Sequence, residues 1–94
     1  MMRNSVVINE KDNVAITIES VEKGTAIQYA SKTSGTVSVT ALDDFVIYHK
    51  VAITEIEKGR PVVKYGENIG LASRDIHVGE HVHVHNVESH REDL

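Results

Sequence analysis

Four of the chain's six histidines fall between Ile76 and Asn86, and three alternate as His81-Val82-His83-Val84-His85. On a strand this pattern sends the histidines to one face and the valines to the other. Same-face neighbours then stand roughly 6.6–7 Å apart along the strand. Neutral imidazole is a common ligand for zinc, iron, nickel and copper, and near neutral pH it also carries protons. There is no cysteine, so a transition-metal site here would be histidine plus carboxylate. Disulfides, thiolate ligands and a cysteine nucleophile are excluded. The solvated face of an edge strand gives the same spacing, so the pattern alone leaves ligation and plain surface both open. His77, on a turn, is expected to be exposed, and His90, in the charged tail Glu88 to Leu94, to be mobile.

Other pairs offer chemistry at single points. His49-Lys50 sets an imidazole beside an ammonium, which can bind an anion or take part in proton transfer; an exposed pair is the simpler reading. Lys64-Tyr65-Gly66-Glu67 reads as a turn leaving a strand, whose glycine permits close approach of another group. Arg74-Asp75 makes a surface ion pair or caps the next turn. The side-chain oxygens of Asp12-Asn13 close a turn or face a ligand.

The scaffold holding these residues has to be small. A chain of 94 residues is one domain, 1–94 with a core over about 6–87. Aromatic residues are 4% and tryptophan is absent. The core is therefore expected to be valine and isoleucine, with stability thin enough to favour docking on a larger chain or a homo-oligomer. Net charge is -4 and the ten Lys and Arg are dispersed, which argues against nucleic acid as a partner. The N-terminal stretch lacks a long apolar run, so neither a signal peptide nor a membrane segment is expected, and the cytoplasm is the expected compartment.

Periodicity points to strands throughout. Val6 to Ile8 suits a first strand, and Val14, Ile16 and Ile18 fall on one face of a second. One device recurs three times: Val21-Glu22-Lys23-Gly24, Ile56-Glu57-Lys58-Gly59 and Ile76-His77-Val78-Gly79, each feeding a strand. Each reads as a tight turn that uses glycine's positive φ. Uneven spacing makes this a reused turn rather than a solenoid. Ala26 to Ala30 and Thr36 to Thr40 form a hairpin across Ser31 to Gly35. Leu42, Phe45 and Val46 have helix-like spacing that predicts one turn in a connection. Lys50 to Thr54 and Glu80 to His85 are further strands. No segment keeps a helical pattern for ten residues, so the fold class is all-β.

Four blocks occur in order: Asp12-Asn13-Val14-Ala15; His49-Lys50-Val51-Ala52; Lys64-Tyr65-Gly66-Glu67 with Ile69-Gly70; and Gly79 to Asn86. Over roughly Val7 to Asn86 the chain resembles the small SAF-type domain of the altronate and galactarate dehydratase family, which includes sulfolactate sulfo-lyase. The resemblance implies a β-clip fold of short twisted strands. It also implies a hydro-lyase that removes water from a sugar acid and needs a divalent metal such as iron. Its main chemistry would sit in a large catalytic subunit, fused or separate, and a chain ending at Leu94 would be the separate small subunit, inactive alone. Carried over position by position, the resemblance implies His49 and Lys50 as catalytic groups. Lys64, Tyr65, Arg74 and Asn13 would contact substrate, and His83 and His85 would ligate metal or move a proton. A stand-alone sugar-acid or metal binding module and a purely structural assembly domain are the alternatives.

Overall fold

The computed structural model describes residues 3–31 and 35–88. In chain order the strands are β1 (Ser5–Val6), β2 (Val14–Thr17), β3 (Ala26–Ser31), β4 (Gly35–Thr40), β5 (Lys50–Ala52), β6 (Pro61–Lys64), β7 (Glu67–Ala72), β8 (His81–Val82) and β9 (Val87–Glu88). The described residues are all-β, as expected, and every pairing is antiparallel. A central sheet runs β1-β2-β5-β8, β3 and β4 form a two-stranded hairpin, and a third sheet runs β6-β7-β9. The expected hairpin is present; residues 32–34 of its loop, and His90 in the tail, lie outside the described residues.

The central sheet separates two cores. Val14 pairs with Ala52 across the β2–β5 ladder, and both enter a core with Ile56, Val62, Ala72, Ile76 and Val82. The next pair, Ala15 and Val51, enters a second core with Val21, Ile27, Ala41 and Phe45. Each buried valine contributes about 1.5–3 kcal/mol, so both faces of these short strands are sites of stabilisation. The expected stripe of Val14, Ile16 and Ile18 is therefore corrected. β2 stops at Thr17 and Ile18 is exposed, because a strand covered on both faces need not alternate.

Among the described residues the reused turn occurs four times. The Gly24, Gly59 and Gly79 N–H groups donate to the carbonyls of Ala41, Ala72 and Ala52, and the next residue of each turn accepts a bond from the same strand end or donates one back across the turn. Tyr48 N–H donates to Thr17 O in the same way, so Phe45-Val46-Ile47-Tyr48 is a fourth copy. The three glycines have φ of 91°, 88° and 94°, and Tyr48 has φ 67°, a conformation that costs an L side chain roughly 1–2 kcal/mol. Gly79 also has no room for a side chain, since a Cβ there would collide with Thr40 O. The likeness extends beyond the turn. Asp44 and Asp75 each accept the N–H of a turn lysine, Lys23 at 2.8 Å and Lys58 at 2.9 Å. Val14-Ala15-Ile16-Thr17 recurs as Val51-Ala52-Ile53-Thr54.

Two local expectations are corrected. Residues 41–46 form no helical turn, because their N–H groups are taken by other segments: Ala41 donates to Thr25 O, Leu42 to Gly79 O and Phe45 to Val21 O. The strand expected over Glu80 to His85 ends at Val82, and residues 83–86 turn back. Among the described residues no helix is long and apolar enough to cross a membrane.

Candidate functional site

The β5–β8 ladder pairs Lys50 with Val82 and Val51 with His81. It thereby carries His49, just ahead of β5, to the histidine segment. His49 Nδ1 and His81 Nε2 meet at 2.9 Å. The His81 ring stacks within 8° of the His83 ring at 5.4 Å between centroids, His49 lies 5.7 Å from His83, and His85 reaches His81 at 5.6 Å. The edge-to-face contact of Phe45 at 5.5 Å ties this imidazole cluster to one core.

Backbone anchors hold the cluster. The His81 N–H donates to Asp43 Oδ2 at 2.9 Å. Asn86 is wholly buried; its Oδ1 accepts the His83 N–H at 2.9 Å and its Nδ2 donates to His81 O at 2.8 Å. Asn86 N–H also donates to His83 O, and its own carbonyl accepts from Ser73 N–H. One amide thus closes the turn that aims the histidines. This arrangement replaces strand alternation, and it leaves Val84 80% exposed.

Lys50, Ile69, His83, Val84 and Val87 line a hollow of about 280 Å³ beside the cluster. Burial lowers the proton affinity of Lys50, and the charge of nearby Lys64 lowers it further. Lys64 lies over the Tyr65 ring at 4.8 Å. Tyr65 and Gly66 both have positive φ between paired Lys64 and Glu67, the two-residue hairpin turn that matches strand twist. Burial also lowers the proton affinity of His81, and the neighbouring His49, His83 and His85 add to the effect while Asp43 opposes it.

Of the residues singled out in the sequence, His49, His83 and His85 join this cluster, Lys50 lines the hollow beside His83, and Lys64, lying over Tyr65, is near enough to Lys50 to lower its proton affinity. Arg74 is exposed on the segment after β7 and is not among them. Asn13 is also elsewhere, with Oδ1 accepting from Val63 N–H and Nδ2 donating to Pro61 O. Asp75 caps a turn, and exposed His77 bonds Glu55 at 2.7 Å through Nδ1. Sequence reasoning gave His81 no special rank and passed over Asp43. Asn86 carried a signal, a turn-forming residue placed just after the histidine run.

As a metal centre the cluster falls short. Among the described residues no group of three or more His, Asp or Glu is arranged to hold an ion. His83 and His85 are both exposed, and the turn breaks the alternation that would have set them side by side. The donors present do not fit a complete site.

The profile of the altronate/galactarate dehydratase SAF domain matches residues 3–90. The chain belongs to this family. Its SAF domain is 36% identical to altronate dehydratase of Bacillus subtilis (strain 168), over 99% of this chain and 18% of that protein. It is 40% identical to altronate dehydratase of Escherichia coli (strain K12), over 93% of this chain and 17% of that protein. It is also 33% identical to (2R)-sulfolactate sulfo-lyase subunit alpha of Chromohalobacter salexigens, over 90% of this chain and 94% of that protein. The SAF domain thus spans less than a fifth of the altronate dehydratases and nearly all of the sulfo-lyase subunit. Within it, the Asp12-Asn13 block is a brace: Asp12 Oδ1 accepts Gly66 N–H at 2.7 Å, while Asn13 clamps β6, so both fix the turn that carries Lys64 and Tyr65.

Proposed function

We propose that this SAF chain is the small component of a lyase that eliminates water from an anionic hydroxy-carboxylate, an altronate-type sugar acid first, in company with a larger catalytic component. The observation that carries the reading is the imidazole cluster of His49, His81 and His83, with Lys50 lining the hollow next to His83 and Lys64 near enough to Lys50 to lower its proton affinity. It unites proton carriers with cations suited to a carboxylate. In the elimination the C–H bond α to the carboxylate breaks and its proton goes to a base. The electron pair forms the double bond, and the β-hydroxyl leaves as water after taking a proton from an acid. The His49–His81 pair, sharing one proton, accepts or returns it, while Lys50 and Lys64 hold the carboxylate. A divalent metal, iron on the family resemblance, would be held by the larger component and would assist departure of the hydroxyl.

The test is reconstitution. The chain is purified alone and with the larger component, and turnover is followed on altronate, galactarate and (2R)-sulfolactate. No turnover alone and turnover together is the expected result, with His49→Gln and Lys50→Ala each losing most of it. Full activity in both variants would reduce the chain to an assembly domain.

A further inference from the structure

We infer that the turn Val46-Ile47-Tyr48 is the tip on which the larger lyase component docks, an inference that rests on the function proposed above. The turn differs from its three counterparts in two independent ways. At the position where they have Gly24, Gly59 and Gly79, it has Tyr48, held at φ 67°. This backbone region disfavours every L side chain, and such strain persists where function demands it. Nothing within the described chain repays it: the Tyr48 side chain is 70% exposed and makes no hydrogen bond or ring contact there. The second difference is polarity. The two residues ahead of the glycine are Glu22-Lys23, Glu57-Lys58 and His77-Val78 in the other copies, whereas here they are Val46 and Ile47, 56% and 44% exposed. Three consecutive apolar or aromatic side chains at the tip of a turn make a knob that water does not favour, and an exposed tyrosine is a common anchor of interfaces.

The occupant follows from position and from coverage. His49 and Lys50 come directly after the knob, so whatever covers it also closes over the imidazole cluster. The chain accounts for 18% and 17% of two altronate dehydratases, so most of such a lyase lies outside it, and its full-length relative is by name one subunit of an enzyme. The partner surface is an apolar socket for Tyr48 and Ile47, set so that Lys50 and Lys64 stay open to the substrate carboxylate.

The test compares the affinity of the full chain for the larger component in wild type, Tyr48→Gly and the double variant Val46→Glu/Ile47→Lys, which gives this turn the Glu-Lys pair of two of the others. Affinity is expected to fall at least tenfold in each variant. The isolated Tyr48→Gly chain should unfold at the same or a higher temperature than wild type, which separates lost docking from lost folding. Affinities within twofold of wild type in both variants, in a complex that still turns over substrate, overturn this inference alone. Absence of any wild-type complex overturns it together with the proposed function. A chain that instead dimerises with itself through this turn, as judged by sedimentation and by loss of the dimer in Tyr48→Gly, also overturns it.

Discussion

His49 Nδ1 and His81 Nε2 face one another at 2.9 Å, and a contact this short has room for one proton between the rings. With both rings charged they repel. Burial already lowers the proton affinity of His81, with His49, His83 and His85 as further causes.

A pH dependence follows. Below the ordinary imidazole value of 6.5 the unfolded chain takes up a proton that folded His81 resists. The His81 contribution is therefore present above 6.5 and is lost as pH falls through the lowered folded value. Its slope cannot exceed about 1.4 kcal/mol per pH unit. His77 acts in the opposite sense: bonding to Glu55 raises its proton affinity, so its contribution is present below 6.5 and fades as pH rises through the folded value. Unfolding midpoints measured across this range in a His77→Gln background isolate the first effect. They should drop on the acid side, and His81→Gln should flatten that drop. An unchanged profile in His81→Gln would contradict the assignment.

Gly79 and Gly24 share a conformation but not a neighbourhood. Gly24→Ala meets open space and pays only for its positive φ, about 1–2 kcal/mol. Gly79→Ala drives a methyl against Thr40 O and should cost more than about 3 kcal/mol in all. Urea unfolding of both variants compares the two, and similar losses would mean the close approach is not real.

Asn86→Ala removes the partners of the His83 N–H and the His81 carbonyl from a buried place. Each polar group left unpaired costs about 1–3 kcal/mol. The variant should lose stability on that scale, and its imidazole resonances should show His49 and His81 no longer in contact. Asn86→Asp keeps the acceptor but turns a carboxylate toward the His81 carbonyl, so it should not rescue the fold.

Lys50→Ala should lower kcat/KM of the reconstituted lyase by about 10–100-fold, the loss of one charge-assisted contact. Most of that loss should appear as a raised KM if Lys50 holds the substrate carboxylate in the ground state. Arg74→Ala, away from the cluster, should stay within about twofold of wild type. Steady-state kinetics on the complex read both.

Legibility in the sequence followed the physics of each signal. Glycine announces its turns, so three copies and the β3–β4 hairpin are legible in the sequence. The fourth copy was hidden because Tyr48 occupies the glycine position. The two-core sheet was hidden because Val14 to Thr17 is buried on both faces, Thr17 included, and presents no face that alternation can sort. Histidine spacing predicts a strand through His85, whereas the chain turns after Val82 and the Asn86 side chain closes that turn. Nothing local in His49-Lys50 says that it lies against His81, because the β5–β8 pairing that joins them is a property of the whole chain.

That long-range pairing bears on the order of assembly. The β3–β4 and β6–β7 hairpins close over short loops, but His49 meets His81 across 32 positions, through a sheet whose strands come from both ends of the domain. Closing such distances is slow compared with forming hairpins. The imidazole contact therefore belongs among the last native features to form on refolding. A nascent chain with both hairpins complete has no paired histidines until residues near 82 have docked on β5, so the imidazole cluster does not exist until the domain is finished.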